Sequence, residues 1–169
     1  MMRGLVIRPF EEKDAEAVRW LNEEAFGQLG EARLVDALRA AGDDVLELVA
    51  THEQEVYGHI LFSRLLVESK NRSADAVALA PIAVKKADQR TGVGKALIEN
   101  AHHMLKQAGE ELSVVLGDPA YYGRFGYTHE RAAKFESAYQ GQYLQALAFS
   151  SAAPTMGRLI YAPVFAELE

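Results

Sequence analysis

Residues 77–108 read VALAPIAVKKADQRTGVGKALIENAHHMLKQA, an apolar strand, a glycine-punctuated turn and a long amphipathic helix. Within it, Gln89-Arg90-Thr91-Gly92-Val93-Gly94-Lys95 falls where the strand hands over to the helix. Backbone N–H groups at such a junction point outward from the positive end of a helix dipole, which makes an anion site, most often for phosphate. The same stretch decides the fold. A strand followed by a crossover helix needs a parallel partner, and the short apolar run at 113–116 supplies it.

The kind of phosphate site is narrowed by elimination. A Walker loop needs a glycine five residues before Gly94 and a hydroxyl residue after Lys95, and the chain has Gln89 and Ala96 there. A dinucleotide fingerprint needs a third glycine where Leu97 stands, and no acidic residue lies at the spacing that would hold a ribose. What remains is QxxGxG opening a helix directly after a strand that ends Ile82-Ala83-Val84. Glycines before a helix are also ordinary turn chemistry, so a second signal matters. Residues 121–127, Tyr121-Tyr122-Gly123-Arg124-Phe125-Gly126-Tyr127, follow a short apolar strand and contain a tyrosine four residues before a Gly-aromatic pair.

Together, in this order and about a helix and a strand apart, the two motifs resemble those of the GCN5-related N-acetyltransferases, closest to a bacterial subgroup with a GDPxYYxRFGY-like segment. The resemblance implies a mixed α/β fold: a twisted, mostly antiparallel sheet, one parallel pair splayed at its middle, and helices on both faces. It implies that Gln89, Arg90, Thr91, Gly92, Val93, Gly94 and Lys95 wrap the pyrophosphate of acetyl-coenzyme A. It also implies that Ile82, Ala83 and Val84 hold the pantetheine arm and the thioester carbonyl, and that Tyr122 faces the coenzyme sulfur. A first-position Gln in place of Arg is a variant that the family pattern accommodates. The departure is at Gly117-Asp118-Pro119, which replaces an asparagine-containing stretch found in many members.

Composition limits the alternatives. The 169 residues are 49% hydrophobic and 25% charged, which marks a soluble globular chain that we read as one domain over 1–169. The net charge of −6 and the absence of any basic run disfavour nucleic acid or an anionic membrane as partner. There is no cysteine, so a disulfide framework, thiolate metal sites and a cysteine acyl-enzyme are excluded. No apolar run reaches the roughly twenty residues of a membrane span, and a cytoplasmic location is expected. His102 and His103 are adjacent, so on a helix they point about 100° apart and cannot form an HExxH-type metal pair. No metal is expected, and no GxSxG elbow of a serine hydrolase occurs.

Outward from the motif, a short strand ends at Pro9. A helix capped by Asp14 follows, with Val18, Leu21 and Ala25 on its buried face, and a second helix spans 31–41. By the resemblance these two helices form one wall of an acceptor pocket. Residues 45–50 and 56–67 read as an antiparallel pair, with Gly58 marking a bulge or a close approach. Residues 69–75 read as a polar connection and 76–84 as a central strand. Pro81 gives no N–H to a neighbour, so that strand splays near its end. Beyond Tyr127, strands are expected at about 143–149 and 157–161.

Acetyl transfer to an amine must polarise a carbonyl, present a neutral nitrogen and protonate a departing thiolate. Main-chain amides at the splayed strand serve the first need. Tyr122 serves the third, because a phenol keeps its proton up to pH about 10. For the second, Glu24, Glu31, Glu130 and His129 have suitable chemistry, and the sequence places none of them in a pocket. The acceptor is expected to be a small-molecule or peptide amine attacking directly in a ternary complex, and the protein a homodimer. The alternative is a non-catalytic acyl-coenzyme A sensor with the same cofactor site.

Overall fold

A computed structural model describes residues 4–167. Its elements are β1 (Val6–Pro9), α1 (Ala15–Phe26), α2 (Gly30–Ala41), β2 (Asp44–His52), β3 (Glu55–Ser69), β4 (Arg72–Val84), α3 (Val93–Gln107), β5 (Leu112–Leu116), α4 (Pro119–Tyr122), α5 (His129–Ala132), β6 (Phe135–Glu136), β7 (Leu144–Ala148), β8 (Gly157–Ile160) and α6 (Val164–Glu167). The main sheet runs β1-β2-β3-β4-β5-β7. Only β4 and β5 in that row are parallel. β8 pairs with β3 at residues 66–68, past the end of β2, and β6 lies parallel to β8. The mixed, mostly antiparallel sheet with a parallel pair is the one expected.

The two sheet faces bury different sets. Leu48, Ile60, Phe62, Val77 and Leu79 pack under α3 against Val93, Leu97, Ile98, Ala101 and Leu105. On the opposite face, Val49, Leu61 and Ala83 meet Val18 and Leu21 of α1 and Val35 and Leu38 of α2. The alternation follows from the period of two along each strand. Gly58 satisfies both readings of its role. Tyr57 is the extra residue where the β2–β3 register shifts, and a Cβ on Gly58 would lie 2.8 Å from Val93 and 2.9 Å from Leu97. This close approach seats the first turn of α3 against the sheet.

Three local expectations change. Asp14 does not cap α1 through its side chain. It is buried, accepts from the Glu11 amide at 2.9 Å and receives both Arg8 guanidinium nitrogens at 2.7 and 2.9 Å, which fastens the helix entrance to β1. The Arg8 hydrogen bonds hold its carboxyl below the usual carboxylate range. Residues 72–75 belong to β4, because the β3–β4 hairpin pairs as far as Ser69 and Arg72. After Tyr127 the chain forms α5, β6 and α6 as well as the two expected strands. Among the described residues no helix is long and apolar enough to cross a membrane.

The strand carrying Pro81 does splay. Ile60 faces Ile82 and Phe62 faces Leu79, so β4 has one residue more than β3 around the cis Ala80–Pro81 bond. Its parallel pairing with β5 stops at Leu79 and Val115. Beyond that point β4 runs on to Val84 beside β3 alone, and the sheet opens into a fork.

Candidate active site

The anion loop is set by backbone geometry. Arg90 has φ 69° and Gly92 φ 96°, so two left-handed residues flank Thr91. A non-glycine residue in that region is uncommon and persists where surrounding structure dictates it, often at ligand sites. Thr91 donates its hydroxyl to the Asp88 carbonyl, and Gln89 Nε2 donates to the Val84 carbonyl at 3.2 Å, tying the loop to the strand it leaves. Gly92 precedes α3 without a side-chain cap, and the first helical bond runs from Ala96 N–H to Gly92 O at 3.0 Å. The amides of Val93, Gly94 and Lys95 therefore have no acceptor within the helix. No acidic side chain occupies the first turn to neutralise them.

These amides open onto a groove. Ile82, Val84, Gln89, Arg90, Gly94 and Tyr121 line a cleft of about 290 Å³. Arg90, Gly94 and Tyr121 also border the next, of about 510 Å³, with Gly92, Lys95 and Arg124. Gln89, Arg90, Gly92, Gly94 and Lys95 are thus brought together with Ile82 and Val84 at the end of β4, and Arg90, Lys95 and Arg124 make the lining cationic. Thr91 and Val93 line neither cleft, and the Val93 side chain is buried under the sheet. Tyr121 and Arg124 are site residues that the sequence reading did not assign. A Cβ on Gly94 would lie 2.6 Å from the Tyr121 hydroxyl, so that tyrosine reaches the helix start only because position 94 has no side chain.

The fork edge of β4 carries main-chain groups as well. Lys85 N–H donates to Tyr57 O at 2.9 Å, which makes Tyr57 and Lys85 a hydrogen-bonded pair. In an antiparallel ladder such pairs alternate with pairs whose groups point outward. Gly58–Val84 and Ile60–Ile82 are then outward pairs, and His59–Ala83 is an inward one. Ile82 and Val84 turn their amides to the open edge, whereas Ala83 uses its own on β3.

Tyr122, on α4 beside Tyr121, is not among the described residues that line either cleft and packs partly buried against the core under α3. β5 ends in the Gly117-Asp118 turn, where the Asp118 carboxylate accepts from the Ala120 amide at 3.0 Å and caps α4. Buried Gln145 of β7 donates to Gly117 O at 3.0 Å and fixes the turn. The Tyr122 ring lies against Gly117, where a Cβ would be 2.5 Å from it, and edge-on to Tyr121 at 5.0 Å and Tyr127 at 6.0 Å. Burial pushes its phenol up to about 12, so it holds its proton at neutral pH. Behind it, the fully buried Tyr127 hydroxyl meets His102 Nε2 at 2.9 Å and Ser113 Oγ at 2.8 Å. Burial lowers His102 to about 4, so this anchor from α3 to β5 is uncharged.

At the vertex of the fork, residues 78–80 of β4 and 114–116 of β5 open a pocket of about 230 Å³, completed by Tyr139, Tyr161 and Phe165. Ala78, Val114 and Tyr161 pack on the face away from α3, so this pocket and the groove approach the vertex from opposite sides. Neither α1 nor α2 lines it. Val164 of α6 is buried among Val18, Leu21, Val35 and Leu38, with Phe165 packed against the same cluster, so α6 rests on those helices and carries Phe165 to the pocket. Glu24, Glu31, Glu130 and His129 also lie outside its lining. No local signal marks the aromatic residues, which lie on the connection before β7, just after β8 and on α6.

His59 is fully buried on that same face. Asn22 Nδ2 donates to Val18 O at 3.0 Å and faces His59 Nδ1 at 3.3 Å, so Nδ1 accepts and the ring proton resides on Nε2, 2.7 Å from Glu47 Oε2. Glu47 also receives two Arg39 hydrogen bonds, at 2.9 and 2.8 Å. Burial works to raise its carboxyl, and the Arg39 and His59 bonds outweigh it. Burial lowers His59, keeping it neutral beside the ion pair.

A sheet forked at one parallel pair, with a helix-start anion groove on one face and a pocket on the other, is the architecture of an acyl-group transferase. The family model of the acetyltransferase (GNAT) domain matches residues 6–129. The chain is 35% identical over 115 residues to the uncharacterized N-acetyltransferase YhbS of Escherichia coli K12, 68% of either chain. The crystal structure of E. coli YhbS in complex with CoA superposes with a TM-score of 0.89 at 27% identity, covering 98% of this chain and 94% of that one. A GNAT family acetyltransferase from Brucella melitensis in complex with acetyl-CoA gives 0.79 at 34% identity, over 97% and 99%. The chain belongs to the GNAT family of acetyltransferases.

Proposed function

We propose that this enzyme transfers the acetyl group of acetyl-CoA to a primary amine by direct attack in a ternary complex. The observation that carries the reading is the fork itself, where β4 leaves β5 after Leu79 and Val115, with the pocket reaching Ala80 on one side of Pro81 and the groove taking Ile82 and Val84 on the other. Two relatives of this fold are named in complex with CoA and acetyl-CoA, which supports the same cofactor here. The pyrophosphate lies on the amides of residues 92–95 with Arg90 and Lys95 beside it, and the pantetheine follows the edge of β4 past Val84 and Ile82. Outward amides there stabilise the developing oxyanion.

The amine lone pair attacks the thioester carbonyl, a C–N bond forms and the C–S bond breaks. The thiolate takes the phenol proton of Tyr122, and the proton shed by nitrogen returns through solvent to the tyrosinate. The products are an N-acetylated amine and free coenzyme A. Tyr122→Phe separates this reading from a cofactor sensor. An enzyme loses turnover in thiol-release assays while its acetyl-CoA affinity, measured by calorimetry, stays unchanged. Unaltered turnover in the variant would remove Tyr122 from the chemistry, and absence of turnover in the native protein with every amine would favour the sensor.

A further inference from the structure

The pocket at the vertex has a composition that selects among amines. The nine described residues that line it include no charged side chain. The aromatic wall is one continuous edge-to-face stack, with Tyr139 and Tyr161 5.4 Å apart at 85° and Tyr161 and Phe165 5.6 Å apart at 64°. Burial pushes the Tyr161 phenol up to about 12, so the central ring of the wall is uncharged at neutral pH. A polyamine or an aminosugar brings several charges, each of which loses hydration on entry and needs a carboxylate in return. Among the described residues nothing in the lining supplies one. A volume of about 230 Å³ also falls below the roughly 300–1,000 Å³ of pockets for drug-sized ligands, which fits a single-ring body better than a peptide.

We infer that the acceptor is a primary amine on a compact aromatic body, an arylalkylamine in class, with its ring on Tyr139, Tyr161 and Phe165 and its nitrogen at the parting of β4 and β5. This rests on the acetyltransferase reading above. Aromatic walls attract both parts of such a molecule, the ring by edge-to-face packing and an approaching ammonium by the ring quadrupole. A longer acyl chain is the other occupant that an apolar vertex would suit. The pocket lies on the face opposite the groove assigned to the coenzyme, which makes it the acceptor's side of the fork. The transfer is the balanced step already given: the N–C bond forms, the C–S bond breaks, and one nitrogen proton is exchanged for the proton on sulfur.

The test is a thiol-release assay with mass spectrometry of the product, comparing 2-phenylethylamine, spermidine, an aminosugar and a lysine peptide. Acetyl-CoA affinity is measured by calorimetry on the same samples. The expected result is a kcat/KM for 2-phenylethylamine at least about tenfold above the others, the scale on which apolar pockets discriminate. Tyr161→Ala raises its KM by about tenfold or more and leaves the acetyl-CoA Kd unchanged. Phe165→Leu does the same to a smaller degree and guards against misfolding of the first variant. Normal acetyl-CoA binding with preference for spermidine, the aminosugar or the peptide would overturn the inference and leave the acetyltransferase reading standing. So would a preference for hexanoyl-CoA over acetyl-CoA that Tyr161→Ala abolishes. Loss of acetyl-CoA binding in the native protein would overturn both.

Discussion

The anion loop and the vertex pocket lie on opposite faces of one fork and are built in opposite ways. The loop is seven consecutive residues whose main chain does the recognising in the function proposed here: left-handed Arg90 and Gly92, then three amides without helical acceptors. The pocket is assembled from two strand ends and three aromatic side chains, at positions 139, 161 and 165. Main-chain recognition has to be encoded locally, because conformation at consecutive residues creates it. Side-chain recognition needs only that the fold bring distant residues together. A region of the first kind fixes the cofactor class, and one of the second kind is free to vary the acceptor.

Breaking each side separately tests the contrast. The largest effect is expected at Tyr122, which the proposed chemistry uses between the two regions. Tyr122→Phe lowers kcat by about 10²–10⁴, the usual range for a general acid, with acetyl-CoA Kd unchanged by calorimetry. On the loop side, Gly94→Val places a side chain where the Tyr121 hydroxyl lies 2.6 Å from the Cβ position. It weakens acetyl-CoA binding by about 30- to 100-fold with the melting temperature nearly unchanged, since the displaced ring is at the groove surface.

Two smaller effects probe what holds the loop's helix. Gly58→Val drives carbons into Val93 and Leu97, at 2.8 and 2.9 Å from its Cβ. Overpacking of this kind costs about 1–3 kcal/mol, read by denaturant melts, and weakens cofactor binding because Val93 starts α3. Burial lowers His102 from 6.5 to about 4. Between these values the unfolded chain binds the extra proton, so this contribution to stability is complete above pH about 6.5 and is lost as pH falls through 4. His102→Gln flattens that part of the stability profile by roughly 1–3 kcal/mol, and His59, also lowered by burial, leaves a residual slope of the same sign.

The same contrast explains what was legible beforehand. The crossover from β4 through α3 to β5, the fork at Pro81 and the close approach at Gly58 each follow from residues adjacent in the sequence, where glycine, proline and apolar spacing have direct backbone consequences. The role of Tyr121 was not legible, because its contact with Gly94 spans a helix and a strand. α5, β6 and α6 are four residues or fewer each, too short for periodicity to mark. The side chain of Asp14 looked like a cap until its partner Arg8, on β1, could be seen. The buried Glu47–His59–Asn22 network was equally hidden, since His59 sits in an otherwise apolar strand and its partners lie on β2 and α1.

Calorimetric titration of the purified protein with acetyl-CoA, coenzyme A and an adenine nucleotide lacking pantetheine tests the central claim most directly. The account predicts micromolar binding of both coenzymes, much weaker binding of the nucleotide, and loss of the coenzyme signal in Gly94→Val. Equal binding of all three would place the affinity in the loop alone and deny the fork its ligand. No binding by the native protein would contradict the assignment of the groove to acetyl-CoA.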